Sequence, residues 1–178
     1  MNQKLKNEEL DRLSIEQFKQ SEKNKIVIVL DNVRSLNNVG SVFRTSDAFL
    51  IEEIFLCGVC GTPPNKEIEK TALGATQTVK WQHFNNTMDA VKVLKEKKYK
   101  IYAVEQAEKS ISLNNFDWRN ESLALIFGNE VYGVEQEVVN VSDGVIEIPQ
   151  MGSKHSLNIS VSVGIVLWEI IRKKFNGN

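Results

Sequence analysis

The run IVIVL at residues 26–30, followed by DNVRSLNNVGSVFRTSD at 31–47, decides the fold of this 178-residue chain. Five consecutive apolar, mostly β-branched residues without alternation suit a strand buried on both faces. The polar, glycine-containing stretch behind it leads into an apolar-periodic segment at 42–49, so the unit reads as strand, loop, helix. The same alternation recurs outward from it. EIFLCG at 53–58, KIYAVEQ at 100–106, LALIFG at 123–128 and VIEIP at 145–149 read as strands, and 88–97, 134–141 and 157–175 as helices. Alternating strands and helices predict an α/β domain with a mostly parallel sheet flanked by helices.

Residues 25–178 are expected to form that single domain. Residues 1–24 are highly charged, with Leu5, Leu10, Leu13 and Phe18 at rough helical spacing, and read as a short N-terminal helical extension. No stretch approaches the roughly 20 apolar residues of a membrane span. Two cysteines and a charged N-terminus argue against secretion, so a soluble, cytoplasmic protein without membrane contact is expected. The net charge of -1 means that any contact with nucleic acid must rest on local clusters. Lys95, Lys97, Lys98 and Lys100 form one candidate and Arg172, Lys173 and Lys174 another, though cations also suit helix C-termini.

In an open parallel sheet, ligands bind beyond the carboxyl ends of the strands. Three loops there are rich in Asn, Ser and Gly: 31–47, GNEVYG at 128–133, and QMGSKHSLN at 150–158. Each alone suits turns and helix caps. Three at one edge predict a polar binding rim. None is a dinucleotide fingerprint or a phosphate-loop motif, which disfavours hydride transfer and nucleotide hydrolysis by those routes. Cys57 and Cys60 form C-x-x-C, but His83 and His155 lack the close pairing of a metal motif. Both cysteines read as small buried residues and no metal is expected, while Trp81 and Trp168 read as core.

In order and spacing, the three loops resemble the three motifs of the SpoU-type (TrmH-like) RNA 2′-O-ribose methyltransferases of the SPOUT superfamily. Asn38, Gly40, Arg44 and Thr45 match the first; Gly128, Asn129, Glu130 and Gly133 the second; Ile148, Pro149, Gly152, Ser156, Leu157 and Asn158 the third. Gln150 departs from the apolar residue many relatives carry there.

The resemblance implies a C-terminal deep trefoil knot, a homodimer with its active site at the subunit interface, and S-adenosylmethionine as cofactor. It assigns cofactor binding to Gly128, Asn129, Ile148, Gly152, Ser156 and Leu157. It assigns catalysis to Arg44, Asn38, Glu130, Ser156 and Asn158, with Arg44 assisting loss of the 2′-hydroxyl proton. A guanidinium stays protonated, so its safer physical role is to bind phosphate and stabilise the developing alkoxide. With only a short extension ahead of the matched stretch, transfer RNA is the expected partner rather than ribosomal RNA. The rival reading is a non-catalytic knotted RNA-binding or assembly protein, which intact polar residues in all three motifs disfavour. A methyltransferase acting on protein or small molecules would be indifferent to RNA.

Overall fold

The computed structural model describes residues 2–176, the side chains of Lys173 and Asn176 excepted. A 3-10 turn at Asn7–Glu9 precedes α1 (Ile15–Gln20), β1 (Asn24–Asp31), α2 (Leu36–Ala48), β2 (Ile51–Cys57), α3 (Lys66–Ala72) and β3 (Lys80–Phe84). There follow α4 (Thr87–Glu96), β4 (Lys100–Val104), β5 (Ile111–Ser112), β6 (Leu123–Phe127), α5 (Gln136–Val141), β7 (Gly144–Glu147) and α6 (Ile159–Asn176). The seven strands form one sheet in the order β3-β2-β1-β6-β4-β7-β5, and every pairing is parallel.

The unbroken apolar run of β1 is explained by its central place. Ile26, Ile28 and Leu30 enter a core shared with α1, α2, α3 and α6, whereas Val27 and Val29 enter a second core built with α4 and α5. A strand with two buried faces leaves no polar position, so the period-2 signal vanishes.

Three elements escaped the sequence reading. In β3, Lys80, Gln82 and His83 are exposed at the sheet edge, so the strand carries too little apolar pattern to stand out. β5 has two residues, and α3 lies in a charged stretch with only Ile68 and Ala72 buried. Two boundaries also moved. α2 begins at Leu36, so Asn38 and Gly40 are helical rather than loop residues; the Ser35 hydroxyl accepts the Asn38 N–H at 3.3 Å to start the helix. α6 begins at Ile159, behind Asn158, whose amide oxygen accepts the Ser160 N–H at 2.9 Å.

The N-terminal segment is tied to the domain, because Phe18 of α1 is buried in the larger core. Trp81 is half-buried against that core, but Trp168 is 54% exposed, contrary to its reading as core. With Val161 and Ile165 it forms an exposed apolar stripe along α6, at the i, i+4, i+7 spacing of one helix face. Among the described residues no helix is long and apolar enough to cross a membrane.

Candidate active site

A cleft of about 710 Å³ opens at the carboxyl end of the sheet, within the size range of small-molecule sites. Its walls come from the ends of β4 and β6 and the segment between β7 and α6, including Val104, Glu105, Phe127, Gly128, Ile148 and Leu157. Two of the three polar loops therefore line one cavity. The first loop joins them through hydrogen bonds.

Glu130 is the junction. Its carboxylate accepts the N–H groups of Arg34 (3.1 Å) and Ser35 (3.0 Å) and the Asn38 side-chain amide (3.3 Å). Asn38 in turn accepts from the Asn158 amide at 3.1 Å. Partial burial pushes the Glu130 carboxyl up, but N–H donation from Arg34, from its own amide and from Ser35, with the Asn38 amide, outweighs it. The group is held below the ordinary carboxylate range and stays ionised at neutral pH. Residues 92 and 120 positions apart in the sequence are thus locked by one side chain, Asn38.

The remaining motif residues divide by placement. Gly128, Asn129, Ile148, Ser156 and Leu157 line the cleft together with Glu130 and Asn158. The Asn129 side chain is occupied within the protein, its oxygen taking the N–H groups of Val131 and Tyr132 and its amide donating to the Asn32 carbonyl at 2.7 Å. Gly152 is exposed and is not among the lining residues. Arg44 is exposed on α2 and does not line the cleft either. Six residues beyond Asn38, it points roughly a third of a turn away from it around the helix.

Neither basic run lies at the cleft. Lys100 opens β4 at the opposite end of the sheet, close behind Lys95, Lys97 and Lys98. Arg172 pairs with Glu169 at 2.7 Å, and Lys174 reaches Asn24 at the start of β1 and covers the Trp118 ring. The Lys173 side chain lies outside the described residues.

Sequence reasoning passed over Glu105 and Gln106, which line the cleft from the end of β4. Their position after a parallel strand was the available signal, but the loop lacks the Asn and Gly that drew attention to the others. It also passed over Asp31, fully buried at the end of β1. Its carboxyl accepts from the Thr87 hydroxyl, the Asn32 amide (3.0 Å) and the Glu135 N–H (2.8 Å), tying the first two loops and α4 to one point. Asp31→Ala would leave these buried donors unmet, and a loss of about 3 kcal/mol is expected. The measurement is the urea midpoint at unchanged m-value, and a shift worth a few tenths of that would show that the donors find other partners.

Cys57 and Cys60 are free and buried, and Cys60 Sγ accepts the Val33 N–H at 3.1 Å and donates to the Leu30 carbonyl at 3.2 Å. Burial pushes both thiols up, Cys60 to about 11, which keeps them protonated and unreactive.

The model of the SpoU rRNA Methylase family matches residues 25–168. An uncharacterized tRNA/rRNA methyltransferase of Borreliella burgdorferi is 33% identical over 159 residues, 89% of this chain and 68% of that protein. A tRNA (guanosine(18)-2'-O)-methyltransferase of Thermus thermophilus is 28% identical over 93% of this chain and 84% of its own length. The solved structure of an AdoMet-bound rRNA methyltransferase from Sinorhizobium meliloti superposes with a TM-score of 0.80 at 27% identity, over 85% of this chain. This chain spans 57% of that longer one. Since the matched stretch takes in both cleft-lining loops and the helix that bonds to them, the chain belongs to the SpoU rRNA Methylase family.

Proposed function

We propose that this chain transfers the methyl group of S-adenosylmethionine to a ribose 2′-hydroxyl of RNA, with transfer RNA preferred over ribosomal RNA. The observation that carries the reading is the Asn38–Glu130–Asn158 network, in which one residue from each motif is fixed at the rim of a single cleft. The cleft fits the cofactor by its chemistry. Apolar lining residues such as Val104 and Val139 suit an adenine, and a lining with no lysine or arginine suits a ligand carrying a sulfonium. When bound, that cofactor supplies the activated methyl group.

The protein's part is to hold the ribose and manage its proton. Asn38, anchored to ionised Glu130, and Asn158, which donates to Asn38, present fixed amides at the rim. Arg44 makes no ion pair or hydrogen bond among the described residues, so its guanidinium is available to grip a phosphate and stabilise the developing alkoxide. Because Arg44 stands outside its own protomer's cleft, it serves the site of a second copy in a homodimer. The exposed stripe Val161, Ile165 and Trp168 supports that assembly. The knotted path expected from the resemblance is supported by the entry of β6 between β1 and β4, and by the return of the segment after β7 to α2 through Asn158.

Incubation with methyl-labelled S-adenosylmethionine and separate pools of unmodified transfer and ribosomal RNA is expected to label a 2′-O-methyl nucleoside in the transfer RNA pool. Mass spectrometry of the digested RNA identifies it. A labelled base would overturn the chemistry, and label in ribosomal RNA alone would overturn the substrate.

A further inference from the structure

Glu105 is a carboxylate in the cleft without a counter-charge among the described residues. It directly follows β4; its Oε2 accepts the Val134 N–H at 3.1 Å and its Oε1 accepts its neighbour Gln106 N–H at 2.9 Å. Room for it is made by Gly133, which has φ +70° and where a Cβ would stand 2.1 Å from Glu105 Oε2. Among the described residues Glu105 forms no salt bridge, and the cleft lining contains no lysine or arginine. Two backbone donors and a residue without a side chain therefore hold in place an acceptor-only group whose oxygens keep unused lone pairs.

What the carboxylate would accept from follows from its surroundings. Val104, Ala107, Val134 and Val139 line the same cleft, and the Val134 N–H bonds to the carboxylate, so apolar surface suited to a flat base and the sugar attached to that base is available to it. The polar groups suited to an amino-acid tail come instead from Ser156, in the segment leading into α6, and from Ser162, in its first turn. Paired hydroxyl donors on adjacent carbons match the two oxygens of one carboxylate, as they do where an acidic residue at a strand end holds a ribose in dinucleotide-binding folds.

We propose that Glu105 reads the cofactor's ribose, accepting from its 2′- and 3′-hydroxyls; this rests on the S-adenosylmethionine reading above. Glu105 is then the residue that selects a ribonucleoside cofactor, independently of the charge on its sulfur or its amino-acid tail.

The test is calorimetric titration of wild type and Glu105→Gln, which keeps an acceptor for the Val134 N–H. The ligands are S-adenosylmethionine, S-adenosylhomocysteine, 5′-methylthioadenosine and the 2′,3′-dideoxy form of the last. Glu105→Gln is expected to weaken the first three alike, by about tenfold, the size of a hydrogen bond to a charged group. The dideoxy compound should bind wild type and variant equally. If 5′-methylthioadenosine binds both proteins equally while S-adenosylmethionine is weakened, Glu105 reads charge and the proposal fails. Should the variant not fold, wild type alone decides, because equal affinity for 5′-methylthioadenosine and its dideoxy form overturns the role. A wild-type protein that binds none of the four overturns the cofactor reading, and the assignment of Glu105 with it.

Discussion

Arg44→Ala is expected to lower the turnover number for RNA methylation by about a thousandfold, the upper range for removing one group that stabilises charge at a reacting oxygen. The fold should not change. Arg44 is exposed and makes no ion pair or hydrogen bond among the described residues, so its removal exposes no unmet donor and opens no cavity. Affinity for S-adenosylmethionine, sedimentation and melting temperature should all match wild type. Arg44→Lys keeps the charge but loses the planar fork that grips phosphate through two parallel N–H bonds, and an intermediate rate is expected. Mixed dimers add a test of where Arg44 acts. If it serves the partner's cleft, Arg44→Ala reassembled with Asn158→Ala leaves one intact site per mixed dimer and recovers part of the activity that each variant lacks alone. Single-turnover rates measure both effects. An Arg44→Ala enzyme working at the wild-type rate would remove Arg44 from the chemistry, whatever the substrate.

The sequence carried the sheet's central strands because burial writes directly into composition. The run at 26–30 faces two cores, and β6, at 123–127, is buried along its whole length. Edge elements carry less of that imprint, and β3 shows why: three of its five residues meet solvent, so lysine, glutamine and histidine replace the apolar pattern. The candidate site was legible as three motifs, but not as a geometry. Asn38 looked like a loop residue because the opening turn of α2 is polar, and only the fold reveals that its amide meets both Glu130 and Asn158. Asp31 and Glu105 were illegible for a different reason. Each is one acidic residue at the end of an apolar strand, where a solvated carboxylate is the ordinary outcome, and only the three-dimensional positions of Thr87, Glu135 and Val134 show otherwise.

Gly128→Ala is expected to abolish cofactor binding and to lower the melting temperature by roughly 10 °C. The resemblance assigns the glycine of the second motif to cofactor binding, where a missing side chain would let backbone groups approach a ligand closely. The structure places a different neighbour there. A Cβ on Gly128 would stand 2.0 Å from the Gly133 carbonyl carbon and 2.1 Å from the Val134 nitrogen, inside van der Waals contact with main chain that cannot rotate aside. The crowding arises because residues 129–133 fold back on themselves, with Asn129 N–H to Gly133 O at 2.9 Å and Gly133 N–H to Asn129 O at 3.0 Å. Alanine must open that turn. Opening it moves Glu130 away from Arg34 and Ser35, and Val134 away from Glu105, so both edges of the cleft lose their shape together. Overpacking against backbone belongs at the top of the usual range, about 3 kcal/mol, which in a domain of this size corresponds to a fall of roughly 10 °C. Calorimetric melting and titration with S-adenosylmethionine give the two readouts. A variant that melts like wild type yet fails to bind would return Gly128 to a direct part in holding the ligand, and one that binds normally would show that the turn can yield without deforming the cleft.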